Sequence, residues 1–202
     1  EMWFSLLRVG FLVGVVCSFA RHVSPQGIAT LAPGILWVAF AFAGTLARTR
    51  TFVREQGQGG LQGLLLTPVS RDAIFLGKVL VSFLFMLIVE ALLLPVFAVL
   101  LNFSAFSVTL LLTIFLATLG FTTVGTLFSA MAVQTRSREI MLPVLFFPII
   151  MPVLIAAVEA SSRAIGMEGG GMGVGRWLPL IAVFDAVFLV ICPWVFSFVV
   201  EE

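Results

Sequence analysis

Six long apolar runs separated by charged residues and turn formers constrain this chain of 202 residues more than any other feature. They lie near 2–20, 28–47, 73–101, 107–131, 140–159 and 178–200. A helix needs about 20 mostly apolar residues to cross the hydrocarbon core of a bilayer, whereas a membrane β-barrel shows roughly ten-residue segments of alternating polarity. The runs therefore predict an all-α integral membrane protein with six transmembrane helices in one domain, residues 1–202.

Composition excludes several functional classes. The chain is 61% hydrophobic and 10% charged, against about 45–50% and 25% in ordinary globular domains, so it is not a water-soluble enzyme. A net charge of +1 provides no basic face for nucleic acid. The sequence contains no Walker motif, nucleophile elbow or zinc signature, and His22 is its single histidine. We predict a protein without catalytic residues, metal site or nucleotide site of its own.

Basic residues predict the orientation of the helices. Cytoplasmic loops of membrane proteins carry an excess of lysine and arginine. One side of the predicted bundle receives seven basic residues and the other side receives three, namely Arg21, Arg163 and Arg176. The side with seven is expected to be cytoplasmic, which places both chain termini in the cytoplasm.

The loop 48–72 on the predicted cytoplasmic side contains a short amphipathic segment. Leu61, Leu64 and Leu65 recur at helical spacing, so one face of a short helix is apolar. Pro68 ends that helix because proline cannot continue the backbone hydrogen-bond ladder, and Ser70 is placed to cap the next one. Such a segment either lies on lipid headgroups or inserts into a groove of a partner protein. The pattern leaves both uses open.

Three charged residues fall inside the apolar runs: Arg8, Glu90 and Asp185. A charge at the centre of a bilayer costs about 2.5–3.5 kcal/mol on insertion scales and often marks function or pairing. Arg8 can extend to the cytoplasmic interface. Glu90 has no basic residue obviously level with it, which predicts a protonated or hydrogen-bonded carboxyl. Its role is either structural or in conformational change or substrate passage. Asp185 falls in the outer third of the sixth run.

Small and weakly polar residues indicate close helix packing. Gly10 and Gly14 form a Gly-x-x-x-Gly pair, which lets two helix backbones approach and serves either a dimer seam or packing within one chain. In the fourth run a single helical face combines small and hydroxyl residues: Thr118, Thr122, Gly125 and Ser129. This face serves either helix packing or a substrate path.

Three prolines, Pro143, Pro148 and Pro152, fall in the fifth run. They predict a kinked or broken helix, which could act as a gate on the outer side.

Several stretches resemble a known family. The residues Arg54-Glu55, Gly60-Leu61, 64–71 and Gly77-Lys78 look like the coupling region of ABC-2-type permeases, and more specifically that of the haem exporter protein B (CcmB) family. Further stretches resembling that family cover nearly the whole chain, at 31–40, 136–143, 152–159, 182–185 and 199–202.

The resemblance implies an ABC-2-type permease fold in the bacterial cytoplasmic (inner) membrane. In that family the permease dimerises and works with a separate ATPase, CcmA, which holds ATP and magnesium. CcmC and CcmD join it in the membrane, and haem is delivered to the chaperone CcmE. The implied ATPase-coupling residues here are Arg54, Glu55, Gly60, Leu61, Leu64, Leu65, Pro68, Ser70 and Arg71.

The expected function is therefore to couple ATP hydrolysis by a separate subunit to haem export, or to release of the haem-loaded chaperone. Haem is the expected client, and no covalently bound cofactor is expected. Two alternatives remain open. One is a generic ABC-2 exporter of lipid, polysaccharide or drug. The other is a non-transporting scaffold that relays the work of the ATPase to a partner membrane protein.

Overall fold

The computed structural model describes residues 32–45, 70–101, 107–133, 138–165 and 174–199. These residues form five α-helices: α1 (Ala32–Thr45), α2 (Arg71–Leu101), α3 (Val108–Val133), α4 (Arg138–Ala164) and α5 (Val174–Val199). The last four are long and apolar enough to cross a membrane. The described part of the chain is therefore an all-helical bundle of the multi-pass membrane type.

The helix bounds agree with the apolar runs at some ends and differ at others. Helices α2 and α3 lie within two residues of 73–101 and 107–131. Helix α4 continues five residues beyond 159, because Glu159 and Arg163 pair across one turn at 3.6 Å and support a polar final turn. Helix α5 begins at Val174 rather than 178. Gly175 is therefore helical.

Ser70 directly precedes α2, as the sequence predicts for a capping residue. Its backbone carbonyl accepts hydrogen bonds from the amides of Ala73 and Ile74, at 3.1 and 3.2 Å. These are the first hydrogen bonds of the helix, so Ser70 occupies the N-cap position. Asp72 lies in the first turn, where a negative charge favours the helix dipole.

The proline-rich helix α4 is unbroken. It runs from Arg138 to Ala164 through Pro143, Pro148 and Pro152, so of the predicted kink or break the break is wrong, and the kink stays a prediction. Each proline removes one amide donor, and membrane helices tolerate this where neighbouring helices pack against them. α4 has such neighbours, since it packs against both α3 and α5.

Helix α3 lies at the centre of the described bundle. It packs against α2, α4 and α5, and 61% of its most apolar stretch is buried, against 17% for α5. Every residue from Gly120 to Leu127 is buried. The outer helices instead expose large apolar side chains such as Val81 on α2 and Val190 on α5, which suits surfaces that face lipid.

Two long-range hydrogen bonds fix which helix ends share a face of the bundle. Arg71 Nη1 donates to the backbone carbonyl of Ser197 at 3.4 Å, so the start of α2 and the end of α5 lie together on what we call the Arg71 face. Trp37 Nε1 donates to Ser161 Oγ at 2.9 Å, which joins α1 to the far end of α4 near the opposite face. The chain therefore alternates direction from α2 to α5.

Candidate functional site: a polar layer inside the bundle

Two buried carboxyl groups lie at similar depth inside the bundle. Glu90 and Asp185 are each 3% exposed. On the side of the bundle opposite the Arg71 face, the span of α2 ends at Val99 and the span of α5 begins at Arg176. Each carboxyl residue lies nine residues from that end of its span. Asp185 is thus the tenth of 23 residues in the span Arg176–Phe198, so it lies nearer the middle of the membrane than the outer third that the sequence predicted.

Glu90 is hydrogen-bonded to the neighbouring helix α3. The Thr118 hydroxyl lies 2.8 Å from Glu90 Oε1 and 2.7 Å from Oε2. A hydroxyl has one proton to donate, so it donates to one carboxyl oxygen at a time and holds the group at the α2–α3 contact. The structure therefore contains the predicted hydrogen bond to a neighbouring helix.

The other hydroxyls of the predicted α3 face bond within their own helix. Thr122 Oγ1 donates to the Thr118 carbonyl and Ser129 Oγ to the Gly125 carbonyl, both at 2.7 Å. Thr126 makes the same kind of bond to Thr122. These side chains are buried against neighbouring helices. The stripe therefore serves helix packing in this structure, and Thr118 differs from the others because its hydroxyl reaches another helix.

A small cavity adjoins the Glu90–Thr118 contact. Its volume open to the centre of a water-sized sphere is about 10 Å³, which is room for roughly one water molecule. Residues from α1, α2, α3 and α4 line it: Trp37, Phe40, Ala41, Met86, Glu90, Ala117, Thr118, Phe121 and Leu154. Small-molecule sites occupy about 300–1,000 Å³, so this cavity does not admit haem.

Asp185 contacts α3 on a different side, at Gly120. A Cβ atom built on Gly120 would collide with Oδ1 of Asp185 and would lie 3.5 Å from the Phe184 ring. Neither carboxyl oxygen of Asp185 has a hydrogen-bond partner among the described residues. Sequence reasoning did not single out Gly120. The signal for it was a glycine inside an apolar helix, which costs about 1 kcal/mol relative to alanine and so indicates close packing.

The remaining predicted site residues mostly lie outside the described part of the chain. This applies to Arg8, Gly10, Gly14 and His22, and to the coupling residues Arg54, Glu55, Gly60, Leu61, Leu64, Leu65 and Pro68. The two described coupling residues, Ser70 and Arg71, lie at the start of α2 on the Arg71 face. Their predicted role in coupling stays a prediction.

The described helices and the buried polar layer define a multi-pass helical membrane protein. Comparison with known proteins is more specific: the CcmB protein family matches residues 2–202. The chain belongs to the CcmB family, which confirms the resemblance noted from the sequence.

Individual relatives agree with this assignment. The chain is 30% identical to heme exporter protein B of Pseudomonas aeruginosa over 165 residues, covering 79% of this chain and 74% of the relative. It is 30% identical to heme exporter protein B of Rhodobacter capsulatus over 191 residues, covering 93% and 86%. A third relative of that name, from Bradyrhizobium diazoefficiens, is 28% identical over 193 residues, covering 94% and 86%.

Proposed function

We propose that this chain is the membrane permease subunit of a haem-export complex, driven by a separate ATPase in the bacterial inner membrane. The observation that carries the proposal is the CcmB family match over residues 2–202, together with relatives named heme exporter protein B. Those names favour haem over lipid, polysaccharide or drug as the client. In the proposed complex the chain has six transmembrane helices, dimerises, and assembles with CcmA-, CcmC- and CcmD-like subunits that serve a CcmE-like chaperone.

The proposed coupling region is the amphipathic segment within 48–72, which ends next to α2. Arg71, the first residue of α2, is hydrogen-bonded to the end of α5. A force applied to the segment would therefore be transmitted both to α2 and to the last helix. This arrangement supports a role in which a partner protein acts on the segment and moves helices in the membrane.

Replacing Leu61 and Leu64 together with Asp is expected to remove the ATPase from the purified complex. Two carboxylates on the apolar face would have to lose their water inside the ATPase groove, and the free energy of this desolvation exceeds the stabilisation from the contact. The measurement is quantitative immunoblotting of the ATPase that co-purifies with the tagged permease.

The matched control is Gln62→Asp, which adds a negative charge beside the apolar face without replacing one of its leucines. It should leave the ATPase yield close to that of the native chain. If the double variant retained the ATPase at the native level, the segment would not be the docking element.

Cysteine labelling tests the proposed orientation of the chain. In a background where Cys17 and Cys192 are replaced with Ser, Gln62→Cys is expected to resist a membrane-impermeant thiol reagent applied to intact spheroplasts. Gly170→Cys is expected to react, because the predicted topology places this position on the other side of the membrane. Both should react after the membrane is opened. Labelling of Gln62→Cys in sealed spheroplasts would show that the topology is the opposite of the predicted one, and it would contradict the coupling proposal.

A second candidate, in which the chain relays ATPase work without conducting haem itself, stays open because the sequence shows no evident haem ligand beyond its single histidine, His22. Reconstitution of the complex in vesicles separates the two: ATP-dependent movement of haem across the bilayer supports the exporter. ATP hydrolysis that releases a haem-loaded chaperone without haem flux supports the relay.

A further inference from the structure

Asp185 is a buried carboxyl group that the proposed function does not use. It lies near the middle of the span of α5 and is 3% exposed. Both of its oxygens are buried and have no hydrogen-bond partner among the described residues. An ionised carboxylate in such a place needs a donor or a cation to stabilise its charge. The described residues offer it no donor, so a cation would have to accompany it.

The charged side chains that the structure describes on the neighbouring helices do not supply that cation at this depth. Helix α3, which contacts Asp185 at Gly120, has no charged residue. The described basic side chains of α2, α4 and α5 fall at or toward the ends of their spans, and the acidic side chains include Glu90, which is held by Thr118 on a different side of α3. The charged side chains described on these helices are Arg71, Asp72, Lys78, Glu90, Glu159, Arg163 and Arg176.

The space between α3 and Oδ1 of Asp185 limits which cation can lie there. A single carbon atom added to Gly120 would collide with Oδ1 of Asp185. The Phe184 ring closes one side of this contact, and it stacks on Phe188 with ring centroids 4.2 Å apart. A hydrated metal ion or a guanidinium group is larger than a methyl group and does not fit between α3 and this oxygen. A proton fits, and it turns the carboxyl into a neutral group with one O–H donor.

We propose that Asp185 is a proton-binding site inside the membrane, whose carboxyl keeps its proton while α3 and α5 are packed together and exchanges it when they separate. Because α3 approaches Asp185 closely at Gly120, the packed helices keep water from this oxygen, and the neutral carboxyl in turn allows the helices to stay packed. Separation of the helices admits water to the carboxyl, which can then lose its proton. This inference rests on the contact between α3 and α5 and does not depend on haem or on an ATPase.

The composition of the chain allows a direct test, because it has only two aspartates, Asp72 and Asp185. Asp72 is exposed at the start of α2 and serves as the internal reference for a carboxylate in water. The full chain is made by cell-free synthesis with carboxyl-¹³C aspartate and reconstituted in phospholipid vesicles. Infrared spectroscopy at neutral pH then separates the C=O band of a protonated carboxyl from the two bands of a carboxylate.

The expected spectrum shows one labelled aspartate as carboxylate and one as protonated carboxyl, and the protonated band disappears in Asp185→Asn. Two carboxylates and no protonated band would overturn the proposal. Because the native chain alone gives this readout, the test does not depend on folding of the variant.

The rate of deuterium exchange tests the link to helix separation. In the native chain the protonated band is expected to shift slowly after transfer to D₂O. In Gly120→Ala, where the added carbon pushes α5 away, the shift should be several-fold faster. The matched control is Gly77→Ala, since a Cβ at Gly77 meets nothing within 4 Å and should not change the rate. Complete exchange of the native chain at the first time point, or equal rates in all three proteins, would refute the gating by α3 and α5.

Discussion

Gly120→Ala is expected to lower the free energy of unfolding by about 2 kcal/mol, within the range of about 1–3 kcal/mol for overpacked cores. The added carbon collides with Oδ1 of Asp185 and approaches the Phe184 ring, so α3 and α5 must move apart. The measurement is equilibrium unfolding of the purified chain in mixed micelles of increasing sodium dodecyl sulfate content, followed by tryptophan fluorescence.

A double-mutant cycle assigns the effect to one contact. In an Asp185→Ala background the colliding oxygen is absent, so the second substitution at Gly120 should cost much less than it does in the native background. Gly77→Ala is the matched control in α2 and should be neutral or stabilising by up to about 1 kcal/mol. An equal cost at Gly120 in both backgrounds would mean that Asp185 is not what limits the approach of the helices.

Thr118→Val is expected to destabilise the chain by about 1–3 kcal/mol, because it removes a donor from a buried carboxyl. Valine has nearly the shape of threonine, so the change removes the hydroxyl and leaves the packing of α2 on α3. The cost should fall in a Glu90→Gln background, where an amide replaces the carboxyl that accepts the Thr118 hydrogen bond. Unfolding of the two single variants and the double variant in the same micelles measures this coupling.

Thr113→Val is the matched control for the Thr118 prediction. Thr113 is also a buried threonine of α3, but its hydroxyl donates to the Thr109 carbonyl of the same helix at 2.8 Å. That carbonyl retains its backbone partner, so the loss should be smaller than at Thr118. If both substitutions cost the same, the bond between α2 and α3 would contribute nothing beyond an ordinary hydroxyl bond within a helix.

The helices of this chain could be predicted from sequence because apolar length alone identifies a span. Helices α2 and α3 follow their runs within two residues. The errors fall where a helix extends into polar sequence, as at the end of α4, where Glu159 and Arg163 lie within the helix. An apolar run read from the sequence stops at the first charged residue. The helix itself continues where its charged side chains find partners or reach the membrane interface.

The partners inside the bundle could not be predicted in the same way. The sequence identified Glu90 and, separately, the α3 face of small and hydroxyl residues that includes Thr118. It did not indicate that the Thr118 hydroxyl would face Glu90. The rotation of each helix about its axis decides such contacts. Because α3 is buried on all sides near its middle, its face of small and hydroxyl residues could not be assigned to one neighbouring helix. The contact between Gly120 and Asp185 was missed for the same reason.

The distribution of hydroxyl bonds in α3 bears on how the chain is made. Ribosomes deliver membrane helices to the bilayer in chain order, and a polar group without a partner there resists transfer into lipid. The hydroxyls of Thr122, Thr126 and Ser129 each donate to a backbone carbonyl of their own helix, so these bonds can form before another helix is present. Glu90 arrives earlier, and Thr118, whose hydroxyl donates to it, follows 28 residues later. This bond between α2 and α3 favours entry of the two helices into the lipid as a pair.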